Sequence, residues 1–229
     1  MKIYQPIAGF CLATFLSACG GGGGSDPAPA PSPAATASFP LEAAYVKAVT
    51  TGVSLNGTAV DGADTYTMSL SITPASDGIF EGVVRKRSTE SLTIKKNGSV
   101  LVVSGINLYY SLNPFTTQGA SYSDGTYAVQ TSTTGNFPAT AKVGDSGSLG
   151  TLTVYTNASK TTVLTTTQSS WTLEADTATS AFGCSNGVVK NAAGIQTLTT
   201  AGCYKIDTNG NPLGLRFTLS VEGRTLVFR

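Results

Sequence analysis

From Thr65 to Ile72 the chain alternates, with Tyr66, Met68, Leu70 and Ile72 apolar and Thr65, Thr67, Ser69 and Ser71 carrying hydroxyls. Successive side chains of a pleated strand point to opposite faces, so one row meets a core and the other meets water. The same period of two recurs at Leu92 and Ile94, at Leu152 and Val154, at Trp171 and Leu173, and at Leu215, Phe217, Leu219 and Val221. This predicts half-buried antiparallel strands. Between and within these runs stand Asn56-Gly57, Asp61-Gly62, Asp77-Gly78, Asn97-Gly98, Asp124-Gly125, Asn186-Gly187, Asn209-Gly210 and Glu222-Gly223. Such dipeptides supply the positive φ of tight turns and are read as turns. Asn97-Gly98 predicts a hairpin joining 91–96 to 99–103, and Glu222-Gly223 predicts a second one that ends the chain.

One stretch keeps a different period. In residues 39–49 the apolar positions Leu41, Ala44, Tyr45, Ala48 and Val49 follow the i, i+3, i+4, i+7 spacing of one helix face. Pro40 stands where a helix start loses no hydrogen bond, and Glu42 suits the positive end of the dipole. Segments 59–72 and 205–221 each read as strand, acidic turn, strand, a likeness that shared hairpin chemistry explains as well as duplication does. The pattern as a whole predicts a mainly β domain over residues 39–229 with one short N-terminal α-helix. Its expected form is an antiparallel β-sandwich or two stacked β lobes, divided near the Ser/Thr/Gly-rich stretch 131–150.

The first 38 residues do not belong to that pattern. Lys2 precedes an apolar stretch, Ile7 to Ala18, shorter than the ~20 residues a transmembrane helix needs. This predicts a signal peptide over 1–18. Its end, Leu16-Ser17-Ala18-Cys19-Gly20, resembles the lipobox of bacterial lipoproteins. The resemblance implies that Cys19 becomes the lipidated first residue and, because Gly rather than Asp follows it, that the chain is exported to the outer membrane. Several acyl chains on one residue make a stable anchor. Residues 19–38 then form a tether of Gly20 to Gly24 followed by alternating Pro and Ala, with a reach of at most about 60 Å.

Composition narrows the function classes. The chain has 14 Lys+Arg, 13 Asp+Glu and no His, and only 12% of its residues are charged. A balanced charge gives no basic field for nucleic acid, so no nucleic-acid partner is expected. Without His, the commonest general base and metal ligand is missing. Gly144-Asp145-Ser146-Gly147-Ser148 resembles the nucleophile motif of trypsin-like proteases over four residues, but no His stands behind Ser146, which excludes a Ser-His-Asp mechanism. Asp207-Thr208-Asn209-Gly210-Asn211 imitates the start of a calcium loop, yet Gly and Glu are missing from the positions such a loop requires, and a turn is the simpler reading. The chain is therefore expected to be no enzyme and to hold no cofactor or metal.

Two of the four cysteines, Cys184 and Cys203, remain once Cys11 is cleaved away with the signal peptide and Cys19 is acylated. In an oxidising compartment they read as one disulfide closing a Gly- and Ala-rich loop, which adds about 3 kcal/mol on the chain-entropy account. Candidate binding residues fall in two groups. Arg85, Lys86, Arg87, Lys95 and Lys96 put five of the 14 basic residues into one predicted hairpin, with Glu81 and Glu90 near enough to neutralise part of the charge. A solvated, partly paired edge is the plainer reading, and a basic face for phosphate or acidic polysaccharide the sharper one. Tyr109, Tyr110 and Tyr122, with Phe115 and Tyr127, crowd the next segment, where exposed rings would stack on sugars or anchor a protein, while core and tyrosine-corner roles are the commoner ones in a β-sandwich.

The whole chain resembles uncharacterised lipoproteins of Gram-negative bacteria that join Leu16-Ser17-Ala18-Cys19 to a Gly run. Phe39-Pro40-Leu41-Glu42-Ala43-Ala44, residues 171–179 and the later Cys pair look like features of such a group. The resemblance implies a place, the outer membrane with a lipid anchor, and no activity. The expected function is a non-catalytic envelope lipoprotein whose tethered β domain binds a protein or glycan. The alternative is an accessory or structural subunit of an outer-membrane assembly.

Overall fold

The computed structural model describes residues 37–221 and 224–229. The signal peptide, Cys19 and nearly all of the tether lie outside them, as does the Glu222-Gly223 dipeptide. In chain order the elements are β1 (Ser38–Phe39), α1 (Leu41–Thr51), β2 (Val53–Asp61), β3 (Asp64–Phe80), β4 (Val83–Lys96), β5 (Ser99–Leu112), β6 (Phe115–Tyr122) and β7 (Tyr127–Ser132). They continue with β8 (Ala141–Lys142), β9 (Ser146–Tyr155), β10 (Val163–Ala175), β11 (Ser180–Asn191), β12 (Gln196–Asp207), β13 (Pro212–Val221) and β14 (Arg224–Phe228).

The fold is mainly β and antiparallel, but it is not a sandwich. Twelve strands form one meander from β2 to β14, each beside its predecessor, while the short β8 leaves the wall to pair with β1. The two ends of the meander then meet. The Thr58 amide donates to the Arg229 carbonyl at 2.8 Å and the Arg229 amide returns a bond to Thr58 at 3.1 Å, so the sheet is nearly closed into a barrel. Closure removes the unpaired edges that a sandwich of these strands would leave. Stretch 131–150, expected to divide two lobes, is the connection between neighbouring strands β7 and β9 and carries β8 on the way.

The alternation seen in the sequence sorts the two faces of the wall. Tyr66, Met68 and Ile72 are buried, while Thr65, Thr67, Ser69, Ser71 and Thr73 are exposed. The apolar row faces the lumen and the hydroxyl row faces out. Inward rows at one end, from Ala59, Tyr66, Met68, Leu92, Ile94, Phe217 and Phe228, pack on one another without help. A wall of twelve strands encloses more space than its own side chains fill along its whole length, and at the other end α1 occupies it.

Leu41, Ala44, Tyr45, Ala48 and Val49 of α1 are buried against Ile72, Tyr110, Phe115, Leu173, Tyr204 and Ile206, inward residues of strands around the wall. Polar ties fix the helix in place. The Tyr45 hydroxyl donates to the Gly183 carbonyl at 3.2 Å, the Tyr110 hydroxyl donates to the Val49 carbonyl at 3.3 Å, and the Phe115 amide donates to the Glu42 carboxylate at 2.7 Å. The predicted helix is thus present, two residues later than its sequence pattern began. Phe39 pairs with Ala141 in the two-stranded piece instead.

Several dipeptides read as turns lie inside strands. Asn97-Gly98 does turn, with φ of 47° and 83°, and the β3–β4 hairpin turns at Glu81-Gly82, with φ of 52° and 75°. Asn56-Gly57 and Asn186-Gly187 are mid-strand, and Asp77-Gly78 lies at an irregularity of β3. At Gly57 the reason is close approach: a Cβ there would sit 3.0 Å from Cβ of Phe228, across the seam that closes the barrel. A glycine in a strand marks such contacts as readily as it marks turns.

Candidate functional site

The basic residues proposed from the sequence do not gather. Arg85, Lys86 and Arg87 stand at one end of β4 and Lys95 and Lys96 at the other, roughly 30 Å apart at ~3.3 Å per residue. Lys86 pairs with Asp77 at 3.0 Å, Arg87 donates to the Ser76 carbonyl at 3.2 Å, and Lys96 pairs with Asp64. Glu81 and Glu90, expected to offset this charge, turn elsewhere. Glu81 accepts from Lys160 and from the Tyr127 hydroxyl, and Glu90 points into the barrel.

The tyrosines also separate. Tyr110 and Tyr122 are buried inside the barrel. Tyr109 lies outside, stacked on Phe80 at 4.6 Å, and the Phe80 ring also stacks on Tyr127 at 5.1 Å and covers Gly119. Phe80 therefore clamps the β3–β4 hairpin onto the outer wall, leaving Ile79 and Val84 exposed at its tip. Asp145 of the Gly-Asp-Ser-Gly segment accepts from the Lys142 amide at 2.8 Å, and Gly147 lies under the indole of Trp171. Asp207 accepts from the amides of Asn209 and Asn211 at 2.9 and 2.8 Å, closing its own loop.

The Cys184–Cys203 disulfide is present. It joins directly opposed residues of β11 and β12 on the outer face, with Cα atoms 3.9 Å apart, so it pins two paired strands and not a loose loop. The Arg216 guanidinium covers it, stacking 4.4 Å above the Phe182 ring and pairing with Glu174. Both sulfurs are fully buried.

The remaining concentration of unusual chemistry is inside. Between α1 and the wall lies a cavity of about 80 Å³ whose sides include Tyr45, Val49, Ile72, Glu90, Leu108 and Leu152. A second cavity of about 50 Å³ extends toward Met68, Leu92 and Phe217. Ile72, Glu90 and Tyr204 line both. The rim of the larger one is formed by β6 and the chain after β7, where the Thr116 hydroxyl donates to Asn136 Oδ1 at 2.9 Å.

Glu90 sits in the inward row Ser88, Glu90, Leu92, Ile94 of β4, beside Ile72 on one neighbour and Ile106 on the other. Its side chain is half-buried and lines both cavities. Among the described residues no side chain or amide hydrogen-bonds to it, and no cation pairs with it. Burial pushes its pKa up to about 7, because a charge without partners is disfavoured in a low-dielectric interior. The same phase as Leu92 and Ile94 already placed Glu90 on the core side in the sequence. That signal was overridden there by the nearby Lys and Arg residues, which suggested a surface pair.

Elsewhere in the wall the buried hydroxyls of Ser88, Thr165 and Thr167, which line neither cavity, have no hydrogen-bond partner among the described residues. Among the described residues no cluster of three or more His, Cys, Asp or Glu could hold a metal ion. Compared with known protein families, with curated proteins and with solved structures, the chain finds no match in any of the three.

Proposed function

We propose that the chain is a lipid-anchored, non-catalytic binding protein of the cell envelope whose β-barrel takes a small ligand into its lumen. The anchor reading rests on Leu16-Ser17-Ala18-Cys19 and the tether behind it. A water-facing barrel fits this, since its apolar rows face inward and hydroxyl rows outward, the reverse of a barrel built to sit in lipid. The binding reading is carried by one observation, the mostly apolar cavity beside α1 with the partnerless carboxyl of Glu90 in its wall. Apolar walls with a few placed polar groups are the ordinary form of a small-molecule site.

The test uses methyl NMR on the full chain in micelles, titrated with small neutral and charged probes. Shifts confined to Ile72, Leu108 and Leu152 on addition of any one of them support a ligand-taking lumen, and no shift from any of them contradicts it. Labelling of cells with radioactive palmitate, lost in Cys19→Ser, tests the anchor. A second reading, an accessory subunit of an outer-membrane assembly, is favoured by the exposed apolar tip of the β3–β4 hairpin, where Ile79 is 74% and Val84 66% exposed. Photo-crosslinkers at those two positions would then capture one discrete partner in cells, and random or absent capture counts against this reading.

A further inference from the structure

We propose that the lumen around Glu90 binds a small primary amine in its ammonium form, with Glu90 as the counter-ion. The inference rests on the reading of the lumen as a ligand site and names the ligand's chemistry. A carboxylate accepts hydrogen bonds at two oxygens and donates none, so an ionised Glu90 is satisfied by N–H donors carrying positive charge. Nothing among the described residues supplies them. Neither cavity is lined by Lys or Arg, and the titratable side chains facing Glu90 are Tyr45 from α1 and Tyr204 from β12. Burial holds the Tyr45 hydroxyl in its neutral form well above the usual tyrosine range, so Tyr45 adds no competing charge.

A metal ion fits poorly. Hard cations take six or more oxygens, and here one carboxylate faces aliphatic and aromatic walls. An amine fits better on both counts. Its ammonium group meets Glu90, and its carbon chain lies along Ile72, Leu108 and Leu152. Tyr45, Phe115 and Phe137 bring ring surfaces to the same space, and aromatic faces attract ammonium groups. Size sets the upper limit. An apolar cavity that accepts benzene measures ~150 Å³, and the two spaces meeting at Glu90 are about 80 and 50 Å³. The ligand is therefore slimmer than benzene, a short linear amine.

Binding is also tied to protons. Glu90 is largely protonated at mildly acidic pH, and pairing with an ammonium ion favours its charged form, so each binding event there releases the carboxyl proton. Calorimetry with propylammonium on the full chain, in two buffers of different ionisation heat, reads this directly. At about pH 6 the release expected is close to one proton per amine bound, falling toward none at about pH 8.5.

The variant Glu90→Gln keeps the side chain's shape and removes its charge. It is expected to weaken propylammonium roughly 10- to 100-fold, the range of a charge-assisted hydrogen bond, and to abolish the proton release. Equal binding of propylammonium by the wild type and Glu90→Gln, or binding at pH 6 without proton release, would overturn the proposal. Propan-1-ol, of the same length and uncharged, separates the two layers of the argument. If the alcohol shifts the lumen methyls and the amine does not, the ligand class is wrong and the lumen reading stands. If neither does, both fall.

Discussion

Two carboxylates inside the same barrel have opposite surroundings. Glu42, in the first turn of α1, accepts the Phe115 amide at 2.7 Å and its own amide donates to the Pro138 carbonyl at 3.1 Å. Glu90, at the level where the two cavities meet, accepts nothing from the described residues. The difference extends to their neighbourhoods. Around Glu42 the hydroxyls of Tyr45 and Tyr110 are both donated and the rings of Tyr45 and Phe137 stack at 3.9 Å. Along the wall from Ser88 to Thr165 and Thr167, hydroxyls are left without partners. The polar groups of α1 are answered as they usually are in a protein interior, even though the same helix walls the larger cavity. In the space around Glu90 the carboxyl itself is left open, at a stability cost that packing alone would not select.

Substitutions that remove the packing and polar ties of α1 should therefore destabilise, and removing the charge of Glu90 should not. The largest loss is expected for Tyr45→Ala, about 4 kcal/mol by denaturant titration, since it removes a buried ring, its stack and its hydrogen bond together. A loss under about 1 kcal/mol would mean that α1 is not a true plug. Replacing Cys184 and Cys203 together by Ala should cost about 3 kcal/mol while leaving amine binding unchanged, because the disulfide lies on the outer face. A change in lumen binding would show that the wall transmits strain between its faces. The smallest effect, about 1.5 kcal/mol, is expected for Glu42→Gln, which weakens a charge-assisted bond to a backbone amide.

Much of the wall was legible in the sequence. Period two at Tyr66 to Ile72 and at Leu215 to Leu219 marks the inward rows correctly, and the 3.6 period marks the face of α1 that is buried. Closure was not legible, because the bonds between Thr58 and Arg229 join positions 171 residues apart that no local pattern relates. The same limit explains Asn56-Gly57, whose glycine answers to Phe228 across the seam. The site was half legible. The phase of Glu90 with Leu92 and Ile94 places it inward, but charge proximity along the chain suggested a pair with Lys and Arg that a strand's alternation directs to the other face or the far end. Tyr110 and Tyr122, candidates for a contact surface, take the core role instead, and the sequence does not separate the two. Ring-rich segments read alike whether their rings line a lumen or face water.

The pH dependence of stability tests the central contrast most directly. Glu90 has its pKa raised by burial to about 7 from an ordinary 4.5, so the folded state holds a proton that the unfolded state has released between those values. Stability should then fall as pH rises from about 4.5 to 7 and level off above, with a total loss of about 3 kcal/mol. The carboxylates held low, Asp64 by its bonds from Lys96 and Asn97 and Asp207 by its bonds from Asn211, act the other way and only at lower pH. Glu90→Gln should remove the fall between pH 4.5 and 7 and be more stable than the wild type at about pH 8 by the same ~3 kcal/mol. A wild-type profile flat through that window, or a Glu90→Gln variant less stable than the wild type at pH 8, would contradict the account by showing that Glu90 is solvated or paired.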